Sequence, residues 1–152
     1  RFIMEEILPI EPNKSLDGYH DFLTHHYSAP VFYDALKREI SFAKREGQIV
    51  TVAKFKLIEG TSLDQMLYFA NELEINVRRH DLIARISEHD FAVLLRFDFD
   101  STSACECLLN RLKNVEKREF LYSWVSTDGT KGLEEVLSEL DNPQNLRSSQ
   151  RD

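Results

Sequence analysis

With 152 residues, 42% hydrophobic and 30% charged, the chain is long enough for one domain with a buried core and ordinary for a soluble globular protein. A formal net charge of −7 argues against nucleic-acid binding, which needs a basic surface, but leaves room for a local cationic pocket that takes a phosphate ligand. No apolar run is long enough to cross a membrane and no signal-peptide pattern opens the chain, so no membrane contact by this segment is expected.

The first residue is Arg1, and the chain is expected to be a piece of something longer. Residues 1–20 read as an N-terminal connector leading in from an upstream domain. Ser28-Ala29-Pro30 is a helix start, since Ser can cap and Pro is tolerated in the first turn. Phe32, Leu36, Ile40 and Ala43 recur at helical spacing until Gly47. Ile49–Leu57, rich in β-branched and aromatic residues, reads as a central strand. After a turn at Glu59-Gly60, a second helix places Leu63, Met66, Leu67, Ala70 and Leu73 on one face. Leu82–Ile86 and Phe91–Phe97 flank the polar turn Ser87-Glu88-His89-Asp90, the pattern of a β-hairpin with a charged tip. Asp98–Ser103 is a polar loop, and Cys105, Leu108, Leu109 and Leu112 mark a third helix. Phe120–Val125 is a strand, Thr127–Thr130 a turn, and Leu133, Val136, Leu137 and Leu140 a short last helix. Residues 142–152 read as a frayed polar tail.

One sheet containing a hairpin, with helices packed on it, is an α+β arrangement. Cys105 and Cys107 lie two positions apart on one helix and so face different ways, poorly placed to bond each other. They suggest a reducing, cytoplasmic setting. His20, His25 and His26 lack a carboxylate at ligand spacing, so no metal site is assigned to them. Trp124 and the phenylalanines are most simply core.

The hairpin block resembles the signature of the GGDEF family, the diguanylate cyclases. Its tip reads Ser87-Glu88-His89-Asp90-Phe91 where the family reads Gly-Gly-Asp/Glu-Glu-Phe. Asp21-Phe22-Leu23-Thr24 resembles the segment that opens those domains. Asp81–Arg85 is similar to the lead-in to the turn, and Phe91–Leu95 and Ser123–Val125 to strands that follow. The likeness runs over residues 21–141. It implies the ferredoxin-like palm of nucleotidyl cyclases, with a central, mainly antiparallel sheet flanked by helices.

The resemblance also shows where the usual reaction loses its parts. Cyclases of this family hold divalent metal with carboxylates, because the metal neutralises triphosphate charge and activates the attacking hydroxyl. Lys56 stands where the first-strand Asp is expected and His89 where the turn supplies a second carboxylate; hard Mg²⁺ prefers oxygen to imidazole. Ser87 and Glu88 replace the glycines that let GTP approach the backbone. Ile58–Ser62 is shorter than the family's guanine-binding segment, with Asp64 near the expected Asp but Leu63 in better register. Leu137–Asn142 shows no counterpart of the Lys- and Arg-bearing phosphate helix. The expectation is a degenerate, non-enzymatic domain with neither metal nor other cofactor.

Arg78 and Asp81 stand where many family members carry an Arg-x-x-Asp site for cyclic di-GMP. A guanidinium can fork onto phosphate or the guanine O6/N7 edge, a carboxylate can accept from guanine N–H groups, and Arg79 adds a second cation. A surface Arg beside an Asp is equally an ordinary solvated pair. The resemblance therefore implies a bacterial signalling module that binds cyclic di-GMP through Arg78, Asp81 and Arg79. The alternatives are a module that only docks onto a protein partner or forms a homodimer, and a divergent cyclase using Lys56 and His89.

Overall fold

The computed structural model describes residues 19–96 and 101–150, without the side chains of residues 101–103. Residues 1–18 of the connector, Phe97, the first part of the polar loop and the last two residues therefore lie outside the described part. The fold is organised around β1 (Val50–Leu57), which runs through the middle of a five-stranded sheet. Seven of its eight residues are buried or half-buried, as expected for a strand covered on both faces. The strand order is β2 (Leu82–Ser87), β3 (Asp90–Leu95), β1, β4 (Phe120–Thr127), β5 (Arg147–Ser148). Every neighbouring pair is antiparallel. The four long strands and their two crossover helices thus form the ferredoxin-like arrangement.

Strand side chains alternate between faces, and each face has its own helix pair. On one, Ala53, Phe55 and Leu57 of β1 meet Met66, Phe69, Ala70 and Leu73 of α2 (Leu63–Asn76) and Cys105, Leu108, Leu109 and Leu112 of α3 (Ser101–Val115). On the other, Val50 and Val52 meet Phe32, Leu36, Ile40 and Ala43 of α1 (Ala29–Glu46) and Val136 and Leu140 of α4 (Leu133–Asp141). Phe69 is the hub of the first face. Its ring centroid lies 5.4 Å from that of Phe120, 5.6 Å from Phe91 and 6.1 Å from Phe55.

Local chemistry sets the element ends. Gly47 ends α1 in the left-handed region at φ 68°, and Ser62 and Gln65 form a capping box that starts α2. Gly129 has φ 103°, and a β-carbon there would stand 2.4–2.7 Å from the backbone and Cβ of Lys44, so the turn after β4 can press onto α1 only with glycine.

Four expectations are corrected. Leu63 faces solvent and Phe69 takes the buried position, because α2 presents two overlapping apolar stripes and the sheet selects the one that reaches Phe91 and Phe120. Residues 101–103 belong to α3 rather than to a loop. Residues 142–150 are a 3₁₀ turn, Pro143–Asn145, followed by β5, which pairs with Leu121 and Tyr122; backbone bonding at the margin of β4 holds them. Trp124 is only partly buried, stacked on Tyr122 at 6.0 Å with the Arg147 guanidinium over its ring, because β4 lies near the sheet's edge. The cysteines fall as read, Cys105 buried and Cys107 exposed.

Phe69→Ala should lower unfolding free energy by about 3–5 kcal/mol, the usual cost of emptying a buried aromatic site. Ile75→Ala, on an exposed position of the same helix, should stay within about 0.5 kcal/mol. Urea titration of both variants distinguishes them.

Candidate functional site

The segment Tyr19–Ser28 folds back on itself and lies along the outer margin of β2. Asp21 N donates to His26 O at 2.6 Å, Ser28 N to Tyr19 O at 2.7 Å, and His25 takes a left-handed conformation at φ 64°. Tyr27 N donates to Ile83 O and Arg85 N to Tyr27 O, so Tyr27 occupies the strand margin as a short parallel bridge. Beneath this turn sits an ion pair shut off from solvent. Arg85, 0% exposed, donates through Nη1 to both carboxylate oxygens of Asp21 at 3.2 Å. Thr24 donates to the same carboxylate from its backbone N and its hydroxyl, and Arg85 Nη2 donates to Glu88 O at 2.9 Å. One guanidinium thus fastens the N-terminal turn to the tip of the β2–β3 hairpin.

Arg78 and Asp81 meet, but with each other. Arg78 Nε and Nη2 each donate to Asp81 at 3.0 Å, its backbone N donates to Oδ2 at 3.0 Å, and Arg96 N donates to Oδ1 at 3.3 Å. The Asp81 side chain is 1% exposed, whereas that of Arg78 is 37% exposed. The carboxylate is fully employed, and what faces outward is the arginine it holds. The same construction recurs after α3, where buried Glu116 accepts from the backbone N, Nε and Nη2 of Arg118.

Arg78, Arg79 and Asp81 line a cleft of about 280 Å³ together with His20, His25, His26, Tyr27 and Glu74. The three histidines thus share one cavity, although among the described residues no group of three or more side chains is arranged to hold a metal ion. His20 and Tyr27 stack at 4.9 Å. His26 is buried with both ring nitrogens shut off from solvent, Nε2 standing 3.5 Å from Glu74 Oε1. Burial pushes this imidazole below its ordinary 6.5, against the opposing pull of the Glu74 and Asp21 carboxylates.

The hairpin tip lies elsewhere, at the end of β1. Ser87 and Asp90 pair in the strand register after a bulge that follows Arg85, leaving Glu88 and His89 as the turn. His89 O accepts from Leu57 N at 2.9 Å, Glu88 is exposed, and Phe91 is wholly buried. Lys56 is exposed opposite Asp90 in the β1–β3 register. The cation that faces Asp90 across the sheet is Lys54, 3.8 Å away and also bonded to Asp141 of α4. These groups, with Tyr33, Ile86 and Leu137, line a second cavity of about 240 Å³. A divalent metal does not fit beside that ammonium. On the other side of β1, Ile58–Ser62 is consumed by its own turn. Thr61 N and Oγ1 both donate to Ile58 O, and Ser62 caps α2. Asp64 and Leu63 are both exposed on the first turn of α2.

Sequence reasoning missed Lys54, Asp141, Glu74 and Tyr27. A lysine inside Val50-Thr51-Val52-Ala53-Lys54-Phe55 was the available signal, since a cation in a doubly covered strand needs carboxylates brought to it.

No protein-family model matches the chain and no curated protein matches it. Solved structures do. The GGDEF domain of DgcB from Caulobacter crescentus in complex with c-di-GMP superposes with TM-score 0.73 at 16% identity, over 84% of this chain and 88% of that one. The FimX GGDEF domain from Pseudomonas aeruginosa gives 0.69 at 17% identity, over 80% and 88%. The GGDEF domain of TpbB or YfiN from the same organism gives 0.70 at 16% identity, over 81% and 84%.

Asp21→Ala leaves the Arg85 guanidinium buried without its counter-charge and should cost about 3–5 kcal/mol in urea titration. His26 gives a pH signature. The unfolded chain binds a proton there near pH 6.5 while the folded chain resists it, so stability should decline as pH falls from about 6.5 toward the lower folded value. His26→Gln, which cannot titrate, should remove that part of the decline.

Proposed function

Because the chain has the GGDEF-domain fold, we propose that it is a non-catalytic signalling module of the cyclic di-GMP type that takes its ligand at the Arg78–Arg79 cleft. The observation that carries this reading is Arg78 itself. Asp81 grips it through two side-chain bonds and Arg96 O accepts a third, so the guanidinium is pre-oriented on a side chain that is 37% exposed and lines the cleft. Less entropy is lost when such a group takes a phosphate or a guanine edge. Asp81 then acts by positioning Arg78, its own carboxylate being spent within the chain.

Loss of cyclase chemistry is supported by the charge around the hairpin tip. Lys54 lies against Asp90 and Asp141, and Lys56 stands opposite Asp90 in register. An ammonium within 4 Å of the available carboxylates competes with any divalent cation for them. With the metal excluded, the triphosphate has nothing to neutralise it and the attacking hydroxyl nothing to activate it.

A second reading, protein docking without nucleotide, draws on Glu116 and Arg118. Their clamp has the same construction as Arg78–Asp81, so that construction by itself does not mark a nucleotide site.

Calorimetry separates the two. Cyclic di-GMP should release heat with the parent chain, and Arg78→Ala should bind about tenfold or more weakly, since a charge-assisted bond contributes about 1.5–3 kcal/mol. Absence of heat at high micromolar ligand would favour docking. GTP with Mg²⁺ or Mn²⁺ should give no cyclic di-GMP, and restoring Lys56→Asp with His89→Glu should not rescue turnover. Product formation by the parent chain would overturn the non-catalytic reading.

A further inference from the structure

The sheet has two outer margins, and they are finished differently. At β2 the turn Tyr19–Ser28 covers the margin, with Tyr27 bridging Ala84 and sharing backbone bonds with Ile83 and Arg85. At β4 the cover is partial. β5 pairs with Leu121 and Tyr122 only, because the chain before it turns away through Pro143–Asn145. Beyond that point Tyr122, Ser123, Trp124 and Val125 line an open notch with Glu139, Gln144, Asn145 and Arg147. Among the described residues no strand lies beside residues 123–127 on this side. The direction of the backbone groups follows from Phe120, whose N donates to Ser149 Oγ at 2.9 Å and whose O accepts from Ser149 N at 2.9 Å. Phe120 therefore faces outward. The unbroken β1–β4 register carries that phase along the strand, so Trp124 and Ser126 also direct N–H and C=O away from β1. Edge strands are ordinarily guarded by lysine, proline or a bulge. Phe120–Thr127 holds no charged residue and no proline, and its register with β1 has no bulge.

We propose that this bare stretch of β4, residues 123–127, pairs antiparallel with the same stretch of a second copy of the chain, joining the two sheets across a two-fold axis at Val125. Phase and length both fit. An axis at Val125 sets Trp124 opposite Ser126 of the second copy, and Ser126 opposite Trp124 of the second copy. Those are the residues whose backbone groups point outward, so each pair exchanges both N–H···O bonds, and Val125 meets its counterpart as the closer, unbonded pair. β4 ends at Thr127, so the second copy's chain turns away just where β5 begins opposite Tyr122. Its next residue, Asp128, then arrives beside Arg147. Asp128 is exposed and its carboxylate is bonded only within its own turn, to Thr130. Arg147 is exposed, lies over the Trp124 ring and forms no ion pair among the described residues. Opposite charges thus meet at both ends of the pairing, which favours a second copy over an unrelated strand. A contact of this length is small and the net charge of −7 on each copy opposes it, so the dimer is a weak one.

The test follows the 152-residue chain by sedimentation velocity from low to high micromolar concentration, with amide hydrogen exchange as a second readout. A monomer–dimer equilibrium is expected, and the Trp124 and Ser126 amides should gain protection as the dimer forms. Arg147→Asp and Asp128→Arg each bring like charges together and should weaken dimerisation by about tenfold or more. The double variant restores opposite charges and should recover the parent's affinity. With Cys107→Ser removing the exposed thiol, Val125→Cys should cross-link two copies on mild oxidation, since its β-carbons face each other across the axis. Ser126→Cys, set opposite Trp124, should not. If a charge variant loses its urea midpoint, the exchange data on the parent chain decide. A chain that stays monomeric throughout overturns the proposal. Protection of Trp124 and Ser126 that does not change with concentration assigns the margin to residues 1–18 and overturns it as well. A dimer that keeps its affinity in both single variants and does not cross-link through Val125→Cys uses another face, and the pairing is then wrong.

Discussion

Arg85 lies at the centre of β2 with no exposed surface, and burying a guanidinium is costly unless its charge and its donors are met within the fold. Asp21 meets the charge, Glu88 O takes a further N–H, and Thr24 holds the carboxylate in place. Meeting the charge of this one side chain draws together a turn near residue 21, a strand at residue 85 and a hairpin tip at residue 88. Residues of the turn that Asp21 anchors line the cleft together with Arg78 and Arg79, which precede the strand from which Arg85 projects.

The two described cavities answer to opposite electrostatics. Near the hairpin tip, lysine and aspartates neutralise one another within the chain. At the Arg78 cleft the two members of the pair are unequally placed. The carboxylate is buried and saturated, while its arginine remains partly outside.

Much of this was legible in the sequence. The order of helices and strands followed from apolar periodicity, and the hairpin from two apolar runs around a polar turn. The register of α2 was not legible. Leu63, Met66, Leu67, Phe69, Ala70 and Leu73 fit two helical stripes, and only contact with Phe91 and Phe120 decides between them. The two-residue β5 left no pattern, since backbone bonds hold it and a single apolar Leu146 precedes it. At the site, Asp21 and Arg85 were each visible as fragments of a resemblance, but the bond between residues 64 positions apart was not. Arg78 and Asp81 were visible as a pair; that Asp81 is consumed in holding its partner required geometry.

The last described residues also set how much of β4 another chain can reach. β5 covers β4 only at Leu121 and Tyr122, with Ser149 bonding Phe120, and Arg147 lies over the Trp124 ring. The rest of β4's outer side has no strand beside it among the described residues. Phe120–Thr127 is rich in aromatic and β-branched residues, the composition that pairs readily with a like strand when its margin is bare. The eight described residues from Pro143 onward therefore cover the start of that margin, and shortened forms that stop before Pro143 should keep the core and bare Leu121 and Tyr122 to pairing with a like strand.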